Sequence, residues 1–267
     1  MTSPDTPGGV FLSIPFGSRA DWRTGSLPLD YKPRDADKFI ETLGREIELR
    51  APAFDSVPLD PVYVGGCGPT AISLDQLYRL LELLYNRVRI VPTEQSIIVL
   101  PGTVDEPRAK VLRESGFDRV ELRPADLHSC RADFAVLRDA GFATVGIELG
   151  PAGDAGLALL AELAPDHVAL YDRPAAGHIP AGYDEYGPNH FCRPGHECLF
   201  LRTAWSTAPL LGLGPGAVTR IGGRFERNET DPGRWAAALK RGHLPVAEAV
   251  PGKARPYAPD ASDGLQP

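Results

Sequence analysis

The chain has only four cysteines in 267 residues, and no apolar run approaches the length of a membrane span. Cys67, Cys130, Cys192 and Cys198 are too few and too scattered for a disulfide scaffold. They read instead as buried thiols, metal ligands or reactive groups. No long basic run is present and the formal net charge is -7. Phosphate backbones are bound by concentrated basic surface, so nucleic acid is not an expected partner. Residues 1–9 are polar and lack the apolar core of a signal peptide, so a flexible N-terminus and a cytoplasmic location are expected. At 43% hydrophobic and 24% charged residues, the composition is that of a soluble globular protein.

What is present is a regular alternation of short apolar runs and helical periods. Strands are expected at 10–15, 61–64, 96–100, 119–122, 143–149 and 167–171. Helices are expected at 35–50, from the capping pair Ser73 and Gln76 through Leu84, and at 106–115, 132–140 and 155–163. Gly116 and Gly141 stand where two of them should stop. Strands alternating with helices imply parallel pairing. The reading is an α/β fold, a partial (β/α)6 barrel, with a doubly wound sheet as the alternative. One domain would run over 10–250. Its part from 173 would be irregular, with a short last helix at 232–241, and 251–267 would form a disordered tail.

In both architectures ligands bind at the C-terminal ends of the strands. Those ends carry Phe16, Gly65 to Thr70, Pro101, Gly102, Arg123, Asp126, Glu148, Tyr171 and Asp172. Arg123 has the forked geometry to grip a carboxylate. Glu148 and Asp172 suit general acid–base work, and Tyr171 suits proton donation or positioning. The same charges also read as an internal salt-bridge network. Cys67 sits in a glycine-rich turn whose amides would activate a thiol, or it is a small buried side chain. His128 is either a further base or a loop residue. His190, Cys192, His196 and Cys198 form an H-x-C-x3-H-x-C string able to bind zinc, iron or copper. Arg220 and Arg224, in a glycine-rich segment with Asn228, suit an anionic substrate.

Several strings resemble the oxygen-independent coproporphyrinogen oxidase (HemN/HemW) family of radical-SAM proteins. VFLSIPF at 10–16 is similar to its first strand, and YVGGCGPT at 63–70 to its GGGTPT loop. PGTVD at 101–105, RPGHEC at 193–198, GLGPGA at 212–217 and LPVAE at 244–248 follow in the family's order. The resemblance implies a radical-SAM type of partial barrel over most of 10–250. It also implies that Gly65, Gly66 and Thr70 hold S-adenosylmethionine through backbone groups.

The departures fall on the chemistry. The family places C-x-x-x-C-x-x-C directly after IPF, and the corresponding residues here are Gly17, Asp21 and Thr24. None is a thiolate, so no iron–sulfur cluster is expected. Cys67 and Gly68 replace the loop's usual Gly and Thr, and Ile98 replaces a glutamate. Of the haem-associated HNxxYW string only Trp205 remains. The family's C-terminal domain is also missing, so the chain reads as a truncated member. Three readings follow. One is an enzyme of specialised metabolism repurposed for non-radical chemistry on a small molecule: a cyclase, lyase, isomerase or transferase. The others are a haem-, tetrapyrrole- or metal-binding protein, and a non-catalytic partner of another enzyme. A protein partner or homodimer is compatible with the last.

Overall fold

A computed structural model describes residues 7–17, 26–123, 127–149, 154–170 and 181–251. They form an α/β protein with two compact units. The first combines the chain up to Glu94 with the chain from Leu199, and the second is the segment Gln95 to Cys198.

The first unit opens with β1 (Gly8–Ile14), α1 (Pro33–Arg50), β2 (Leu59–Gly66) and α2 (Leu74–Arg87). After Leu199 it adds α6 (Leu199–Trp205), β9 (Leu210–Leu213), β10 (Val218–Ile221), β11 (Arg224–Asn228), α7 (Pro232–Lys240) and β12 (Val246–Pro251). The strand order is β12-β11-β10-β9-β1-β2, with β1 parallel to both β2 and β9 and β9 to β12 antiparallel. Gly8 and Gly9, expected to be flexible, already belong to β1. β2 starts two residues before the expected Pro61, and the β1–β2 register shifts between Gly8 and Val10. Proline has no N–H to give a ladder, so a bulge lets the strand run through it. Ser73 and Gln76 form the predicted reciprocal capping box.

The second unit contains β3 (Gln95–Val99), α3 (Glu106–Glu114), β4 (Arg119–Leu122), α4 (Leu127–Asp139), β5 (Thr144–Leu149), α5 (Asp154–Leu163), β6 (His167–Leu170), β7 (Asp184–Gly187) and β8 (His190–Cys192). β3 to β6 are parallel, and β8 then β7 are added antiparallel to β6. α4 begins five residues before the expected Ala132, and the fully buried Cys130 extends its inner face. The expected tail lies outside the described residues, apart from Pro251 in β12. Among the described residues no helix is long and apolar enough to cross a membrane.

The two faces of β4 and β5 differ in chemistry. Val120, Leu122, Val145, Ile147 and Leu149 alternate on the face packed by α4. Arg119, Glu121, Arg123, Gly146 and Glu148 alternate on the other. In a sheet buried on both faces, such a row of charges must be internally paired.

Candidate functional site

Arg123 follows β4 and Glu148 lies near the end of β5. Arg123 Nε donates to Glu148 Oε2 at 2.6 Å, and each residue is 1% exposed. The two candidates proposed for a strand-end site are thus brought together, as a buried ion pair. Tyr171, Asp172, Asp21, Thr24 and Asp126 lie outside the described residues, as does the side chain of His128.

Deeper along the same face is a network that the sequence did not single out. Glu121 accepts hydrogen bonds from Arg119 Nη1 and His167 Nδ1, both at 3.0 Å. His167 Nε2 lies 2.9 Å from Tyr186 Oη, and the His190 ring stacks on His167 at 5.6 Å. Arg119 Nη2 also donates to the carbonyls of His196 and Glu197, tying the 193–198 loop to β4. Burial raises the Glu121 carboxyl, but the charges and hydrogen bonds of His167 and Arg119 outweigh it and hold the group down to about 2. Burial pulls His190 down to about 3, so its ring is neutral. The usable signal was period-two spacing: Arg119, Glu121 and Arg123 alternate through an otherwise apolar strand.

The structure does not bring His190, Cys192, His196 and Cys198 together as one four-ligand set. Among the described residues no group of three or more His, Cys, Asp or Glu side chains could hold a metal ion. The string is divided between two structures. His190 and Cys192 are on β8, with His190 stacked on His167, whereas His196 Nδ1 lies 3.0 Å from Thr144 Oγ1. Burial pushes the Cys192 thiol up to about 11.

In the first unit, the glycines at the strand ends serve close backbone approach. Gly66 has φ +97°, and a Cβ there would lie 2.5 Å from Ile14 N and O. The next residue, Cys67, donates its N–H to Ile14 O at 2.8 Å. A Cβ on Gly65 would meet the Phe11 ring at 2.9 Å. Cys67 is fully buried and its Sγ faces Ser26 O at 3.8 Å, a packed position rather than an approachable one. Thr70 is buried in the short turn Pro69–Ala71.

Arg220, read from sequence as substrate-binding, is engaged with main chain in the structure. Its guanidinium donates to the carbonyls of Ala208, Ala204 and Thr203, closing the end of α6. Arg224 has a 69% exposed side chain and pairs with Glu226 in the β10–β11 hairpin. The third residue of that segment, Asn228, joins a buried hub. There Glu46 accepts from Gly214 N, Asn228 Nδ2, Trp235 Nε1 and Arg50 Nε.

The alternating strands and helices define an α/β protein with a mixed sheet. The solved structure of coproporphyrinogen III oxidase (HemN) from Escherichia coli, a radical-SAM enzyme, superposes with TM-score 0.78. The match covers 93% of this chain and 72% of that one at 21% identity. A heme chaperone HemW of Mycobacterium tuberculosis is 26% identical over 91% of this chain and 77% of its own length. An oxygen-independent coproporphyrinogen III oxidase of Salmonella typhimurium is 25% identical over 87% of this chain, which spans 65% of that protein. No family model matches. The chain is a distant homologue of the HemN/HemW radical-SAM proteins over most of its length.

Proposed function

We propose that this protein works without a [4Fe–4S] cluster and performs polar chemistry on a small molecule. One observation carries the first half. The family pattern puts its three thiolates at Gly17, Asp21 and Thr24, and none of these can bind iron as a thiolate does. The space for a side chain at 17 is also crowded, with the Cys67 carbonyl oxygen 3.1 Å from a Cβ built there. The residues do not fit the cluster, so no step runs through it. S-adenosylmethionine remains a proposed ligand of the 65–70 loop on the resemblance alone.

The second half rests on Arg123 and Glu148. Opening of their pair toward a ligand would offer a guanidinium for an anionic group and a carboxylate for proton transfer. Those are the elements of a cyclisation, elimination or isomerisation. Tyr171 and Asp172 remain proposed members of the set on sequence grounds. The complete burial of the pair favours a second reading, in which the charges only stitch the sheet of a non-catalytic partner protein.

Two measurements test this. Anaerobic treatment of the protein with iron and sulfide should give no stable visible band, and a stoichiometric cluster would sink the proposal. Incubation with the small-molecule fraction of a cell extract should deplete particular masses. The paired variant Arg123→Met/Glu148→Leu should leave them untouched. Equal depletion by both proteins would favour the second reading.

A further inference from the structure

The ladders of the second unit set three chemically different side chains in one row. Glu148 of β5 is in register with Ala169 of β6, and Ala169 with His190 of β8. Residues in register share a face of the sheet. The row therefore runs Arg123, Glu148, Ala169, His190, and the Arg123–Glu148 bond closes its first step. The His190 ring stacks on His167, which reaches Glu121 on the same face. Only a methyl group stands between Glu148 and His190 in the row, and two strand spacings set their backbones roughly 10 Å apart. One small molecule can touch both. Each member offers what the others lack. Arg123 only donates and Glu148 only accepts. His190 is 5% exposed, and burial, which brings its pKa to about 3, keeps the ring neutral. A neutral imidazole has one N–H to donate and can polarise a carbonyl without bringing a charge into the sheet.

We infer that this row takes a small carbonyl compound bearing an anionic group, with His190 donating to the carbonyl oxygen. The inference rests on the Arg123–Glu148 reading and names the substrate class for that site. Arg123, released from Glu148, holds the anionic group. Glu148 removes a proton from the carbon beside the carbonyl. The C–H electron pair becomes the new C=C bond, and the carbonyl π pair moves onto oxygen. The His190 N–H stabilises that oxygen by a hydrogen bond. Return of the proton to carbon restores the carbonyl, so the step balances without an outside oxidant or reductant.

The test is exchange of carbon-bound protons for deuterium in D2O, followed by proton NMR on the full chain. The probes are pyruvate, 2-oxobutyrate, 4-oxopentanoate and dihydroxyacetone phosphate. The native chain should exchange at least one of them faster than buffer does, and Arg123→Met/Glu148→Leu should abolish the gain. His190→Phe should lower the rate at saturating probe by about 100-fold or more, as one donor to a developing oxyanion is lost. The half-saturating concentration should change little. His190→Gln keeps an N–H and should recover part of the rate. Circular dichroism and thermal midpoints check that each variant is folded, and His190→Leu gives the same comparison if the phenylalanine variant is not. Exchange that survives His190→Phe but not the paired change overturns the role of His190 and leaves the Arg123–Glu148 reading intact. No exchange of any probe by the native chain overturns the carbonyl class and leaves that pair to the depletion measurement. Exchange that survives the paired change overturns both.

Discussion

Arg123 Nε lies 2.6 Å from Glu148 Oε2, and this bond joins neighbouring strand ends through two side chains that water does not reach. Removing one member of a buried ion pair strands the other charge at low dielectric. Replacing both with apolar groups of similar volume does not. Glu148→Gln should therefore cost about 3–5 kcal/mol in urea unfolding. Arg123→Met/Glu148→Leu should recover most of that loss. A double variant no more stable than the single would show that the pair is not an isolated unit.

Glu121 gives the fold an acid-sensitive contact. Its folded-state pKa, about 2, is below the ordinary 4.5. The depressed value means that the folded state favours the carboxylate. The resulting stability is complete above the unfolded value and is lost as pH falls from about 4.5 toward about 2. Its size is on the order of 3 kcal/mol. Unfolding free energy measured across this window should fall for the native chain. For Glu121→Gln it should start lower and fall less, so the two curves approach each other. Parallel curves would contradict the assignment.

Much of the fold was legible because its signals are local. Ser73 and Gln76 announced α2, and Gly116 and Gly141 marked the ends of α3 and α4. The antiparallel strands β9 to β12 were not legible. Runs of four to six residues have no distinctive period, and β9 is placed by its parallel contact with β1. The site was half legible. Arg123 and Glu148 followed from being at strand ends. The partners of Glu121 come from residues 46 and 65 positions further on, His167 and Tyr186 by way of His167, and no local pattern encodes such a meeting. The H-x-C-x3-H-x-C spacing gives no sign that a strand and a loop divide it.

Arg220 should behave as a structural clamp. Its fork reaches three main-chain carbonyls at and beyond the end of α6, and burial lowers its pKa to about 10. Arg220→Met should cost about 3 kcal/mol or more, since several charge-assisted hydrogen bonds are lost together. Arg220→Lys should rescue little, because a lysine ammonium lacks the planar fork. Thermal unfolding of both variants checks this. Unchanged midpoints with weakened binding of small anions would restore the substrate-binding role.

Gly146 tests how firmly the Glu121 network is built. It sits opposite Glu121 in the β4–β5 register, and a Cβ there would come within 1.9 Å of Glu121 Oε2. No rotamer relief is open to a carboxylate held by both Arg119 and His167. Gly146→Ala should therefore displace the carboxylate and cost roughly 3 kcal/mol. The loss should scarcely add to that of Glu121→Ala, because the clash and the ion pair disappear with the same carboxylate. A double-mutant cycle in urea should return a coupling energy of about 1–3 kcal/mol. Strict additivity would mean that the strand shifts to accept the methyl group and that the network is softer than its geometry implies.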